Sequence, residues 1–321
     1  MKIFILSMYT GKVNRGVETL VAQLSLHWSA AGNRVEVVSG GDSVLAFTLR
    51  VIPDLLRFKP DIVMPTNGGL QSLIIKVFSV LFGYKMVVSG QAGIGRDDKW
   101  NLLMQPDCFI SPSVRGERWA KGMWFAKSVK ITNIPNGVDL TKFSPKAKKI
   151  KSFLSRPIVL CVCSFEKYKR VELTAKAVAR MKKGSLLLIG GTPNSKTAKF
   201  VKRTLPHQRV KIIKIAHEQI HKYYASADVF TLVSDSSEAF GIVYLEAMAS
   251  NLPVVATDDE LRRQIVGKAG ILVDPDDLQA YTNALATAAA RNWGSVPRKQ
   301  AEKFSWDKIA QKYLEVFEQI L

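Results

Sequence analysis

Residues 234–257, SDSSEAFGIVYLEAMASNLPVVAT, decide the fold. The apolar run just before them, 229–233, has the length of a buried strand, and the Ser/Asp cluster that follows is loop. A helical pattern opens near Phe240, with Val243 and Ala247 on one stripe and Tyr244 and Met248 on the next. Asn251 and Pro253 stop it, and Val254 and Val255 begin another buried strand. The helix is therefore the crossover of a parallel β-α-β unit.

Chemistry enters at the start of that helix. Gly241 lets a ligand approach the main chain, and the N–H groups of Phe240, Gly241 and Ile242 point out of a helix N-terminus, where the macrodipole favours an anion such as phosphate. Glu238 precedes these donors in the loop and Glu246 follows them inside the helix. Either carboxylate alone reads better as a solvated surface acid. Together they flank one anion site from two sides, which suits a ligand with phosphate in its middle and hydroxyls at both ends. A nucleotide sugar has that layout.

Outward from this unit the alternation continues. In the first half, short apolar runs at 3–7, 34–39, 62–65, 86–89, 108–111 and 131–134 alternate with helical patterns, and runs at 158–163, 186–191 and 210–215 do the same in the second. The reading is α/β, with two Rossmann-like doubly wound parallel-sheet domains. The loop 11–16, carrying Arg15 and Gly16, sits at the carboxyl end of the first strand, the position that borders the ligand crevice in an open α/β sheet. Arg15 is either a cation facing that crevice or a surface residue. GQAGIGRDDKW, 90–100, is glycine-spaced but lacks the dinucleotide-binding spacing. Its Asp97 and Asp98 are candidates for acceptor hydroxyls, with a solvated loop the competing reading. Residues 114–127 mix Arg and Lys with Trp119, Met123, Trp124 and Phe125 and read as one helix with the aromatics in the core, an interfacial helix being the alternative. Pro135, Asn136 and Gly137 form a turn. Gly190 and Gly191 end a strand. His217 and His221 are four apart without a third ligand, so no metal site is expected.

The chain has 321 residues, 47% of them hydrophobic, enough for two cores. Its 46 Lys and Arg against 27 Asp and Glu give a net charge of +19, which favours phosphate-bearing substrates or an anionic membrane face. No zinc-finger spacing or aromatic RNA-binding motif accompanies the charge, so nucleic acid is not expected as a partner. The basic run KAKKIKSFLSR, 146–156, reads as an interdomain linker. Cys108, Cys161 and Cys163 have no metal spacing and Cys161 and Cys163 share a strand face, which suits a reducing compartment. The start lacks the apolar length of a signal peptide, and 73–82 falls short of a membrane span. The expected location is cytoplasmic, with peripheral contact at the inner face of the membrane.

EAFGIVYLE followed by AMASNLPVVATD resembles the E-x7-E signature of retaining GT-B glycosyltransferases of family four, the glycosyl transferases group 1. NGVD at 136–139 is close to the family's hinge sequence. The resemblance covers essentially the whole chain. It implies domains at 1–145 (acceptor side) and 146–303 (donor side) facing across a cleft, with 304–321 crossing back to the first. It implies retaining, metal-independent transfer of a sugar from a nucleotide donor to a hydroxyl of a glycan, a lipid-linked or a small molecule, with no cofactor besides the donor. Glu238 would meet the donor sugar, Glu246 the ribose and Lys169 the diphosphate, with Arg170, Gly190, Gly16 and Arg15 nearby. The family's Arg ahead of Lys169 is replaced around Ser164, and its Gly-Gly pair by Arg15-Gly16. Gln91 stands where many relatives place His and joins Asp97 as an acceptor-side candidate. Asn251 replaces the usual Gly at the helix end and tolerates the same left-handed conformation. An epimerase or phosphorylase on the same fold, and a non-catalytic polyanion-binding protein, are the rival readings.

Overall fold

The computed structural model describes residues 1–10, 16–41, 43–151, 154–192 and 194–321. The chain divides into two compact units, Met1–Gly137 with Trp306–Leu321, and Val138–Ser305.

The first unit is built on strands β1 (Lys2–Leu6), β2 (Arg34–Val38), β3 (Ile62–Pro65), β4 (Lys85–Ser89), β5 (Cys108–Ser111) and β6 (Lys130–Asn133). All pair in parallel, in the order β2-β1-β3-β4-β5-β6. Alternate residues of β1 face opposite ways. Ile3 and Ile5 join the core under the helix Gly16–Ala30 and the C-terminal helix Trp306–Glu318, whereas Phe4 and Leu6 join the core under the helices Val44–Phe58, Gly69–Phe82, Arg96–Leu103 and Val114–Lys121.

The second unit carries β7 (Ile158–Val162), β8 (Ser185–Ile189), β9 (Val210–Ile213), β10 (Val229–Leu232), β11 (Val254–Thr257) and β12 (Gly270–Val273) in the parallel order β12-β11-β10-β7-β8-β9. The crossover read from 234–257 is the helix Ile242–Ala249 between β10 and β11. Beyond it Asn251 adopts φ 61°, the left-handed conformation expected of it.

Two expectations shift. The first unit's main segment ends at Gly137 rather than 145, and the basic run 146–156, read as a linker, lies inside the second unit, where Ile150 N–H donates to Ser226 Oγ at 2.8 Å and Arg156 pairs with Asp228. The helix read over 114–127 stops at Lys121, with a 3-10 turn at Trp124–Ala126. Trp124 is 81% exposed instead of buried, while Trp119, Met123 and Phe125 pack on the core.

The C-terminal helix is fastened to the first unit by Trp28. That indole is fully buried, donates to Ala310 O at 3.0 Å and packs edge-on against Phe317. Trp28→Ala should cost about 3–5 kcal/mol in denaturant unfolding, and proteolysis should then cut first near Trp306. An unchanged midpoint and cleavage pattern would show that the helix is held elsewhere.

Candidate functional site

In an open parallel sheet, ligands bind at the carboxyl ends of the strands where the strand order reverses. In the second sheet this lies between β7 and β10. The loops leaving those two strands carry Lys169 and Glu238. Lys169 Nζ lies 2.6 Å from Glu238 Oε2, and Ser234 Oγ donates to the same oxygen at 2.9 Å. The two side chains are only 11% and 8% exposed. Burial pulls the Lys169 ammonium down, but Glu238 and Tyr168 together outweigh it and hold its pKa above the ordinary lysine value.

The loop carrying Glu238 is held through its main chain. Arg170 donates through Nε to Val233 O at 2.7 Å and through Nη2 to Ser234 O at 3.3 Å and Thr257 Oγ1 at 3.1 Å. Arg262, fully buried, donates through Nη2 to Ser234 O at 2.9 Å and Asp235 O at 3.0 Å, and pairs with Asp259. Asp235 N–H donates to Tyr168 O at 2.8 Å, joining this loop to the one that carries Lys169.

Gly241 caps the helix Ile242–Ala249 at φ 85°, and a Cβ there would stand 2.5 Å from the Tyr244 ring. Both facts demand glycine. Of the first-turn N–H groups that follow, that of Tyr244 donates to Gly241 O at 3.0 Å, and those of Ile242 and Val243 have no acceptor within the helix. Glu246, in the next turn, is 6% exposed; its Oε2 accepts from Tyr224 OH at 2.7 Å, and its Oε1 lies 3.6 Å from His217 Nε2.

In the first unit a cavity of about 370 Å³ opens at the carboxyl ends of β3 and β4, lined among others by Thr66, Asn67, Ser89, Gln91, Asp98 and Asn101. Gln91 donates to Ser89 Oγ and accepts from Asn136 Nδ2, both at 2.9 Å. Asp98 is 3% exposed, and its carboxyl is pushed up to about 7. Burial is the main cause and Asp97 adds to it, against hydrogen bonds from Asn101 and from the N–H groups of Ala92 and Gly93.

Residues 156–291 match the family described as Glycosyl transferases group 1. The matched residues all lie within the second unit. The sulfoquinovosyl transferase SQD2 of Arabidopsis thaliana is 25% identical over 302 residues, covering 84% of this chain and 58% of that protein. The GDP-mannose-dependent alpha-(1-6)-phosphatidylinositol monomannoside mannosyltransferase of Mycolicibacterium smegmatis is 27% identical over 186 residues, 52% of this chain and 49% of that protein. The chain thus spans between about half and three-fifths of the length of these relatives. Among solved structures, sucrose-phosphate synthase from Thermosynechococcus elongatus aligns with a TM-score of 0.81 at 22% identity, over 100% of this chain and 99% of that one. Anabaena HepE in complex with UDP-glucose aligns with 0.73 at 17%, over 99% and 100%. The fold they share with this chain is the GT-B type, two Rossmann-like domains.

Within the second unit, the structure brings Lys169, Glu238, Gly241, Ile242 and Glu246 to the same end of the sheet as the loops after β7 and β10. Phe240 stands outside the helix, which starts at Ile242 rather than near Phe240, and its side chain is core. Arg170 already serves the carbonyls of β10's exit and lies 3.5 Å from Asp276 Oδ2, so a phosphate would compete with these partners. Gly190, at φ 114°, is required by packing, since a Cβ would meet Cys163 O at 2.3 Å. Gly16 opens the helix Gly16–Ala30. Arg15 lies outside the described residues. Ser164 is exposed and donates to Glu166. Asp97 is exposed, and it is Asp98 that is buried in the cavity wall.

Arg262 escapes a sequence reading that takes basic pairs on helices as solvated. The signal that finds it is its place on the buried stripe with Leu261, Ile265 and Val266. Arg262→Met should destabilise the second unit by about 2–4 kcal/mol, because the carbonyls of Ser234 and Asp235 and the Asp259 carboxylate lose a buried donor. Denaturant melts of the variant decide it, and a loss within measurement error would remove Arg262 from this role.

For Asp98 the sign follows from its raised pKa. Between the ordinary Asp value of 3.8 and about 7, folding disfavours the ionised form, so stability is lost as pH rises through that window and the penalty is complete above it. Asp98→Asn should therefore raise the melting temperature at pH 8 and leave it nearly unchanged at pH 4. Equal shifts at both values would mean that the carboxyl ionises freely.

Proposed function

We propose that the protein transfers a sugar from a nucleotide-sugar donor to a hydroxyl acceptor, with retention at the anomeric carbon. The observation that carries this reading is the buried Lys169–Glu238 pair at the point where strand order reverses, beside a glycine-capped helix N-terminus and Glu246. The donor's diphosphate lies against Lys169 and the first-turn N–H groups of the helix. Glu238 takes hydroxyls of the sugar, and Glu246, with His217 beside it, takes the ribose. The bond from the anomeric carbon to the phosphate oxygen breaks, the acceptor oxygen takes its place, and the acceptor's proton leaves with the nucleoside diphosphate. Charge grows on that diphosphate as the bond breaks, so a cation fixed beside it stabilises the transition state more than the bound donor. Lys169 and the helix dipole supply this charge in our reading, which calls on no metal ion.

The acceptor side belongs to the first unit, through Gln91 and Asp97 with Asp98 and Asn101 behind them. The name of one relative, a phosphatidylinositol monomannoside mannosyltransferase, favours a lipid-linked acceptor, and with it peripheral contact with an anionic membrane from the cytoplasmic side.

Thermal-shift screening with uridine, guanosine and adenosine diphosphate sugars identifies the donor. Release of free nucleoside diphosphate only when an acceptor is added separates a transferase from an epimerase. Glu238→Gln, which keeps a hydrogen-bond partner for the buried Lys169, should abolish transfer and retain nucleotide binding. Glu246→Ala should weaken nucleoside diphosphate binding by about 1–3 kcal/mol in calorimetry. Unchanged turnover in the first variant, or unchanged affinity in the second, removes the role assigned to that residue.

A further inference from the structure

The helix Gly69–Phe82 is built the wrong way round for a helix that only covers a sheet. Its buried positions are Gln71, Ser72, Ile75 and Ser79, so three of the four are polar. These polar side chains have partners within the layer: Gln71 reaches Thr48 Oγ1 at 3.4 Å and accepts from Asn67 N–H at 3.0 Å, and Ser72 donates to Asn101 Oδ1 at 3.0 Å. The apolar stripe points outward instead. Leu70, Leu73, Val77, Val80 and Leu81 follow the three-and-four spacing of one helix face, and all are exposed, Val80 by 74%. Rotating the helix to bury that stripe would break the polar contacts, so the outward orientation is specified and not a packing fault.

The stripe does not end with this helix. The helices Val44–Phe58 and Arg96–Leu103 touch it on either side in the same layer, and the turn Trp124–Ala126 touches the second of these. Each adds exposed apolar side chains: Leu45 and Leu49, Trp100 and Leu103, and Trp124 at 81%. A single exposed leucine needs no explanation, whereas exposed apolar side chains on four adjoining elements do.

The charges around the layer say what covers it. Residues 43–59, 69–83, 96–103 and 114–127 hold ten Lys and Arg against four Asp and Glu. Asp98 is buried, Asp54 is paired with Arg57 and Glu117 with Lys121. Exposed Arg50, Lys59, Lys99 and Lys127 lie on the same elements or at their ends. A second copy of the chain would bring this surface against itself, with cations facing cations. An anionic bilayer accepts both components, because the apolar side chains enter the acyl boundary while Lys and Arg stems reach up to the phosphates and Trp settles at the headgroup level.

We infer that the outer face of this helical layer, centred on Gly69–Phe82 and extending to Trp124, is a docking surface for an anionic lipid bilayer. It gives the membrane contact in the reading above a place on the chain, and vesicle binding tests it whether or not the second unit transfers sugar. Loss of binding with transfer to a soluble acceptor intact would overturn this surface alone, and binding without transfer would overturn the transferase reading alone.

The experiment is flotation with phosphatidylcholine vesicles, with and without phosphatidylglycerol. The full chain should bind only the mixed vesicles, and rising salt should weaken it. The double substitution Leu73→Ser, Val77→Ser should lower the vesicle partition about tenfold or more. Leu26→Ser, on the helix Gly16–Ala30 of the sheet's other face, should leave it unchanged. If the double variant loses its thermal transition, quenching by brominated lipid reads the same contact in a folded protein, with strong quenching of the parent and weaker quenching of Trp124→Phe. No binding of the parent to mixed vesicles, equal binding by the double variant, or equal quenching would overturn the assignment. So would a concentration-dependent dimer in sedimentation that the double substitution dissolves, which would make the face a contact between copies.

Discussion

The carbonyls at the exit of β10 have to find donors once the sheet ends, and two arginines provide them. Arg170 comes from the loop after β7 and Arg262 from the helix after β11, so each neighbour of β10 in the sheet contributes one. They converge on Val233 O, Ser234 O and Asp235 O, and both bond Ser234 O. Three successive peptide units are thereby fixed against two different strands. A buried guanidinium is expensive unless its donors are used, and Arg262 uses Nη2 twice, pairs Nη1 with Asp259 and turns Nε toward Tyr244 OH at 3.4 Å. Tyr244 OH in turn donates to Leu232 O at 2.9 Å. The side chain that caps the cost of its own burial is therefore also the one that sets where the next loop begins.

What that loop sets is the position of Glu238. Ser234 Oγ and Lys169 Nζ meet the same carboxylate oxygen, and Ser234 is the residue whose carbonyl both arginines hold. The chain from scaffold to site is short: strand end, arginine grip, serine, glutamate, lysine. Asp235 N–H to Tyr168 O closes it from the lysine side. Side chains placed by such a circuit lose little further conformational entropy on meeting a ligand, which is what a site on loops needs if it is to act with the precision of one on rigid elements.

The strands were legible because a parallel sheet covered on both faces needs unbroken apolar runs, and runs such as LLLIGG have no other reading. The same rule has no purchase on residues that are buried for polar reasons. Arg262 sits beside Arg263, which is exposed and paired with Asp258, and composition cannot tell the two apart. The run 146–156 misleads in the opposite direction, since its charge and small residues look like a linker while its main chain is tied to Ser226 and its Arg156 to Asp228. Trp124 misleads for a third reason, which the helix Gly69–Phe82 illustrates. Sequence patterning assumes that apolar means inward, and here the buried side of the helix is carried by Gln71 and Ser72 in hydrogen bonds that only a three-dimensional neighbour can supply.

Glu238, Glu246 and Asp98 are treated differently, and the treatment follows from what surrounds each. Glu238 is met by a cation and a hydroxyl. Glu246 is met by a phenol, with an imidazole 3.6 Å away. Asp98 has only amide donors and a neighbouring acid, and its carboxyl rises to about 7. A carboxylate already paired with a cation offers a ligand its remaining lone pairs, which suits hydroxyl groups that must be oriented without exchanging protons. A carboxyl poised near neutrality is both donor and acceptor across the ordinary pH range, and one proton changes which it is. The second unit thus surrounds its two carboxylates with a cation, hydroxyls and an imidazole, while the first presents a carboxyl that donates when protonated and accepts when ionised.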